Sequence, residues 1–360
     1  MTVLRVSTVR VRVPFRAPFV TAARTWTARD AWLVRAVHDD GTIGWGEAIL
    51  DDPAAAPALD RLAKALDEAG RAPADAALES EGAAGRALLC AARAAAAKAP
   101  AEILPGGAGV RVNATVGATT PDEAAAEAAA RVAQGFRTLK LKVPEGACAG
   151  TVATLLDAVR AAVGPSPALR LDANGTWDLD TATGVLLAAE PYGVQYVEQP
   201  LPAPDLAGMR ELRGRTRVPV AADEAVTSPD AAHEVLHAGA ADVLVVKPAR
   251  VGGLMAVARI ETMATASRVP VVVTSSLETG IGLAGGLAAA AWVARFSEVP
   301  GWPAAERDHG LATGGLLVSD LLVDPLVVRD GRAWVPGGAD AGPMGITVDE
   351  AAVERFRVAA

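Results

Sequence analysis

The chain has 360 residues, of which 51% are hydrophobic and 21% charged, and its net charge is −8. That composition supplies a large core and excludes extensive disorder, and the length fits one barrel with a small appended domain. An acidic balance without a run of lysine or arginine excludes a stripe that could follow phosphates, so no nucleic-acid partner is expected.

The first residues, MTVLRVSTVRVRVPF, alternate apolar and basic side chains as a strand does and lack the continuous apolar run of an export signal. Residues 31–37 form a second apolar strand, and Asp40-Gly41 in HDDGTIGWGEA is a hairpin turn, which predicts an antiparallel sheet. Alanine-rich helices are expected over 54–70 and 75–99. Residues 1–103 therefore read as a small α+β domain, and ILPGGAG (103–109) as a linker. Cys90 and Cys148 form no CxxC or Cys/His spacing, which suits a reducing, cytoplasmic setting and supports no zinc site.

From residue 110 onward short apolar strands alternate with helical stretches: VRVNATV, TLKLKV, ALRLDAN, VQYVEQP, VPVAADE, ADVLVVKP and VPVVVTSS. Thr120-Pro121-Asp122-Glu123 is a capping box with proline at the first helical position, and Gly135 can close that helix. Seven or eight β/α units in succession predict an α/β fold, a (β/α)7-8 TIM-type barrel over 104–325. The apolar stretch Gly280–Ala294 is too short to span a bilayer and reads as a buried helix, so no membrane partner is expected.

The strand ends carry the chemistry. Lys140 and Lys142 point to one face of their strand, and Asp172, Glu198, Asp223 with Glu224, and Lys247 finish the strands that follow. Parallel order brings these ends round one rim. Singly each reads as a solvated strand end; together, so many charges without a ligand would be costly to bury. Asp172, Glu198 and Asp223 supply hard oxygen ligands suited to Mg²⁺, with Mn²⁺ as a possible substitute. A carboxylate-bound metal can stabilise an enolate oxygen while an amine beside it takes the neighbouring proton. Lys140 and Lys142, crowded by such a cation, are expected to lower each other's pKa.

Lys140-x-Lys142, LDANG, YVEQP, AADE and VVKP, in that order, resemble the enolase superfamily in its muconate lactonizing enzyme subgroup, and the resemblance covers nearly the whole chain. It implies a capping domain completed by a C-terminal segment, residues 326–360, through a stretch such as VVRDGRAWVPGG. Related enzymes with a histidine base carry it late in the barrel, whereas His233, His237 and His309 do not end the sixth or seventh strand here. His233 and His237 read as an ordinary helix face; His309, near the eighth strand, could line the pocket or serve structure.

SSLETGIGLAGGLAAAA (275–291) and DHGLATGGLLVSDLL (308–322) resemble the seventh and eighth barrel segments of o-succinylbenzoate synthases. Dipeptide epimerases usually have Asp-x-Asp in the eighth segment, and RDHG lacks the second aspartate. The resemblance implies a small-molecule carboxylate substrate, a succinyl-hydroxycyclohexadiene carboxylate, that loses water to give an aromatic product. It makes Lys142 the base and then the acid, Lys247 the opposing cation and Lys140 a tuning group. Ser275, Ser276 and Glu278 would lie at the rim, where the glycines that follow either offer amides to a carboxylate or serve close packing. Asn174 and Glu224 would hydrogen-bond to metal ligands or lysines, although Asn174 could simply form the turn in DANG. The stretch PFRAPFVTAARTW resembles a loop closing over the barrel mouth, from which Arg16 or Arg24 would either meet a second carboxylate or stay solvated; Trp45 reads as hairpin core. N-succinylamino acid racemisation with the same lysines is the nearest alternative, alone or as a second activity. Muconate-type cycloisomerisation is more distant, and a non-catalytic carboxylate-binding barrel is the rival from another class. A homo-oligomer is possible.

Overall fold

The computed structural model describes residues 3–20, 25–71, 75–97, 109–144, 146–297, 299–334 and 344–358. Strands β1 (Val3–Val20), β2 (Thr25–His38) and β3 (Ile43–Ala48) make the predicted antiparallel sheet. Their alternation sorts side chains to two cores: Trp32, Val34 and Ala36 pack with Leu59, Leu66 and Leu88 of the following helices, while Val11, Val13, Ala31 and Leu33 face Ile281 and Ala284 of the barrel. The first alanine-rich stretch forms α1 (Ala56–Ala69); the second breaks into α2 (Asp75–Glu79) and α3 (Gly82–Ala96), with Gly82 in the left-handed region between them. Helix α3 lies so close on β3 that a Cβ at Gly44 or Gly46 would stand 1.9 or 2.0 Å from the carbonyl oxygens of Ala95 and Ala91. The alternating glycines of GWGEA are therefore a helix-docking surface.

After β4 (Val110–Arg111), the units run β5 (Ala114–Val116), α4 (Pro121–Ala133), β6 (Thr138–Lys142), α5 (Ala149–Val163), β7 (Ala168–Asp172), α6 (Leu179–Ala189) and β8 (Val194–Glu198). They continue through α7 (Leu206–Arg215), β9 (Val220–Ala222), α8 (Pro229–Ala238), β10 (Val243–Val246), the short α9 (Pro248–Val251), α10 (Leu254–Ala266), β11 (Val271–Val273) and α11 (Gly280–Phe296). Helix α4 begins at Pro121 as predicted, but the Thr120 hydroxyl donates to the Glu123 carboxylate instead of capping a backbone N–H. Helix α11 is the buried helix expected from its composition. Among the described residues no helix is long and apolar enough to cross a membrane.

Strands β5 to β11 form one parallel sheet in sequence order. The segment His309–Gly310 bridges both edges, pairing with Val112 on one side and Thr274 on the other, and so closes the ring. With seven strands and this bridge, β6 and β10 lie four places apart, on opposite walls. Leu139, Leu141, Leu169 and Leu171 point outward into the main core. Inside, Arg170 stacks on Tyr196 and Trp302 below the charged layer.

The chain ends with β12 (Val327–Arg329), β13 (Arg332–Trp334) and α12 (Glu350–Arg355). The VVRDGRAWVPGG stretch is expected to help complete the capping domain. Its described part forms a hairpin whose β13 pairs with β4, because Val110 and Arg111 present a free edge beside the barrel wall. The return to β1 is made later, by Arg357 bridging Val11 and by Val353 in the shared core. Residues 103–108 of the expected linker, VPGG (335–338) and Arg24 lie outside the described residues.

Candidate active site

Lys142, Asp172 and Glu198 are the last residues of β6, β7 and β8, and they stand in direct register, Lys142 opposite Asp172 and Asp172 opposite Glu198. Asp223 and Lys247 follow β9 and β10 by one residue. Strand geometry thus puts all of them at one level on the C-terminal side of the barrel, where they line a cavity of about 280 Å³ together with Lys140, Asn174 and Glu224.

The two lysines on one face of β6 are held by two carboxylates. Lys140 Nζ lies 3.1 Å from Glu198 Oε1 and 3.2 Å from Asp172 Oδ2, and Lys142 Nζ lies 2.6 Å from Asp172 Oδ2. Across the cavity Lys247 Nζ is 2.7 Å from Asp223 Oδ2. Burial pulls the Lys140 ammonium down, but Glu198, Asp172 and Asp223 outweigh it and its pKa stands well above the usual value. The depression expected from lysine crowding is therefore not found at Lys140 among the protein charges alone. Burial and Arg250 likewise lower Lys247, and Asp223, Asp51 and Glu224 more than reverse them.

The carboxylates divide. Burial raises Asp172 and Asp223, yet the lysines, and Arg250 at Asp223, bring both below the ordinary range. Glu198 is pushed up to about 8, first by burial; Lys140 opposes this, and Asp172 and Asp223 add to it. Glu224 is also raised by burial and by Asp223, and its Oε2 is buried without a hydrogen-bond partner. Four carboxyl groups are thus packed into one wall with unmet acceptor capacity, a donor set that fits a hard divalent cation. Among the described residues no three Asp, Glu, His or Cys side chains are gathered into a metal cluster, and Asp172, Glu198 and Asp223 each lie against a lysine.

Asn174 unites its two expected roles. It takes φ 49 in the DANG turn, and its amide accepts from Lys142 Nζ at 3.2 Å and donates to Glu224 Oε1 at 3.2 Å. Ser275 and Ser276 line the cavity, Ser275 sharing a 2.8 Å hydrogen bond with Thr313, while Ser276 Oγ is buried without a partner. Glu278 departs from expectation and does not line this cavity. The chain turns at Leu277 (φ 67), and the buried Glu278 accepts from Ser276 N and faces a second cavity beside Glu47, where burial and Glu47 push it up to about 7. Glu47 instead caps α11, accepting from Thr279 N at 3.0 Å, Thr279 Oγ1 at 2.6 Å and Gly282 N at 2.9 Å.

His309 is structural. Its Nδ1 accepts from Val273 N at 2.9 Å, and burial, with Arg170 and Arg307 adding, lowers its pKa to about 3. His233 and His237 stack on α8, 6.1 Å apart. Arg16 is exposed, and Trp45 is half-buried against the sheet core.

Arg250, Asp51, Arg29, Phe19 and Trp26 also line the cavity and were not singled out from the sequence. Arg250 donates to Asp223 Oδ1 at 2.8 Å and pairs with Asp51 at 2.7 Å. Its place three residues after Lys247, in the turn that reaches back to the strand end, was a legible signal. Phe19, Trp26 and Arg29 come from β1 and β2 and Asp51 from the loop after β3; Phe19 and Trp26 belong to the PFRAPFVTAARTW stretch, but nothing marked these four residues individually.

Residues 123–352 match the family described as enolase C-terminal domain-like, and the chain belongs to the enolase superfamily. The chain is similar to two groups of curated relatives. It is 31% identical over 312 residues to the L-Ala-D/L-Glu epimerase of Bacillus subtilis (79% of this chain, 83% of that one). It is 41% identical over 219 residues to the o-succinylbenzoate synthase of Thermobifida fusca (61% of this chain, 64% of that one, just under two thirds of its length). A substrate-liganded structure of the Bacillus subtilis epimerase superposes with a TM-score of 0.81 at 26% identity, over 96% of this chain and 99% of the other. The muconate lactonizing enzyme of Pseudomonas fluorescens has the same fold, with a TM-score of 0.83 at 24% identity over 99% of each chain.

Proposed function

We propose that this protein is an o-succinylbenzoate synthase, dehydrating 2-succinyl-6-hydroxy-2,4-cyclohexadiene-1-carboxylate. The observation that carries the reading is the opposition of Lys142 and Lys247 on walls four places apart, with Asp172, Glu198 and Asp223 on the three strands between them. The synthase relatives support the substrate. A substrate carboxylate held at the carboxylate wall would place its α carbon between the two amines. Asp172, Glu198 and Asp223 would hold Mg²⁺, which when bound supplies charge for the developing enolate oxygens. Mn²⁺ fits the same donors.

Lys142, freed from Asp172 and kept in place by Asn174, takes the α proton. The C–H electron pair becomes the new C=C bond, and the C–O bond to the hydroxyl breaks on the same side. The Lys142 ammonium returns its proton to the departing oxygen, and water leaves. Lys247 stays protonated under Asp223 and faces the negative charge that gathers on the carboxylate oxygens. Lys140 keeps positive charge beside Lys142 and bridges Asp172 and Glu198. Residues 1–103 with the last part of 326–360 would form the cap, and 104–325 with the hairpin of β12 and β13 the catalytic barrel.

A second reading has its own support: two amines on opposite faces of one carbon also suit exchange of its configuration, and the epimerase relative matches over 312 residues. Asp308, the aspartate of RDHG, is held by Arg111 at 2.8 Å and Thr138 at 2.6 Å and does not line the cavity. That leaves the eighth segment without a carboxylate for a dipeptide's ammonium group. Measuring kcat/KM with Mg²⁺ for the cyclohexadiene substrate, N-succinylphenylglycine and L-Ala-L-Glu tests the choice. Dehydration should be the fastest; a higher value for either amino-acid substrate would replace the synthase reading with a racemase or an epimerase.

A further inference from the structure

Among the described residues of the capping sheet, Arg29 lines the cavity as a strong cation, and the nearby carboxylates are engaged elsewhere. Arg29, in β2, is 2% exposed, yet its Nε and Nη2 are buried without a hydrogen-bond partner. Burial lowers its pKa, opposed by the more distant Asp51, Glu278, Glu47 and Asp30. Each of these is engaged elsewhere: Asp51 by Arg250, Glu278 by Ser276 N, Glu47 by the start of α11, and Asp30 by Arg10 and Arg12. The indole of Trp26 lies 5.1 Å from the guanidinium carbon. A buried guanidinium with unmet donors is costly unless an acceptor arrives, and the space it borders is the cavity of Lys142 and Lys247. The unpartnered hydroxyl of Ser276 lines the same cavity.

We propose that Arg29 is a specificity residue that receives a second carboxylate of the substrate, remote from the carbon that loses its proton, so that the site selects dicarboxylates. Planar, charge-assisted donors suit that group better than a carboxamide or ester. This rests on the reading of the cavity as the substrate site, and it replaces Arg16 as the candidate partner for the remote carboxylate.

The test is calorimetric binding, with Mg²⁺ present, of matched pairs: o-succinylbenzoate against its side-chain methyl ester, and L-Ala-L-Glu against L-Ala-L-Gln. The wild type should prefer the dicarboxylate of at least one pair by tenfold or more, roughly the worth of one charged hydrogen-bond pair. Arg29→Met should erase that preference while still binding the ester or glutamine ligand, and Arg29→Lys should restore part of it. Removing an unpartnered buried cation should leave the melting temperature unchanged or higher. If Arg29→Met discriminates as the wild type does, or if the wild type prefers neither dicarboxylate, the proposal falls. An Arg29-dependent preference confined to the dipeptide pair would keep Arg29 in this role and overturn the synthase reading instead.

Discussion

The barrel rim and the capping sheet meet at one cavity but treat charge in opposite ways. At the rim each lysine rests on a carboxylate: Lys140 on Glu198, Lys142 on Asp172 and Lys247 on Asp223. In the cap, Arg29 is more deeply buried and has no such partner. Paired charges can hold a reacting geometry without substrate, whereas an unpaired one is satisfied only on binding. On this account the barrel supplies the chemistry and the cap the selection. Variants on the two sides should therefore fail differently, those in the barrel in turnover and those in the cap in discrimination.

The sharpest break should come from Lys142→Ala, which removes the proton carrier and should lower kcat for dehydration about 1,000-fold or more, with Lys247→Ala close behind through loss of charge opposite the wall. Both variants should keep the wild-type circular dichroism spectrum. Turnover within tenfold of wild type in Lys142→Ala would end the assignment of the base. Asn174→Ala should cost about 10- to 100-fold, because it frees Lys142 and Glu224 together without removing either. A fall in kcat with nearly constant KM is the expected signature.

Away from the cavity the expected effects are on stability. Glu47→Ala leaves the N–H groups that start α11 without their acceptor, and should destabilise by about 2 kcal/mol in chemical denaturation. A change below about 0.5 kcal/mol would mean that water replaces the carboxylate there. A further effect, on the pH dependence of stability, concerns His309. Its folded pKa of about 3 lies below the ordinary value of 6.5, so the unfolded chain binds the extra proton. Its contribution is complete above pH 6.5 and is lost as the pH falls toward 3. The stability difference between wild type and His309→Gln should shrink between pH 6.5 and 4.5. A constant difference would refute the neutral, buried imidazole.

The same contrast explains what was legible in the sequence. A charged residue ending an apolar strand announces itself, since parallel order assigns it a place on the rim before any coordinates exist; Asp172, Glu198, Asp223 and Lys247 were placed in this way. Asn174 could be read in DANG because its turn and its contacts occupy one position. Arg29 could not be read, because an arginine in an antiparallel strand is ordinarily a solvated edge residue, and only the docking of cap on barrel buries it. Glu278 was put on the wrong side for a related reason: one left-handed residue, Leu277, reverses its direction, and no propensity marks a leucine for that conformation. The pairing of the β12 and β13 hairpin was not legible because two short strands fit any free sheet edge, and β4 is only two residues long.

The central claim is that a metal on the carboxylate wall and an amine at Lys142 together drive loss of water. The most direct measurement is spectrophotometric formation of o-succinylbenzoate from the cyclohexadiene substrate by the wild-type protein with Mg²⁺, after a chelator, and after Mg²⁺ is restored. The account predicts rapid turnover that disappears with chelator and returns with the metal. Turnover indifferent to chelator, or no product from a folded protein that binds Mg²⁺, would contradict it.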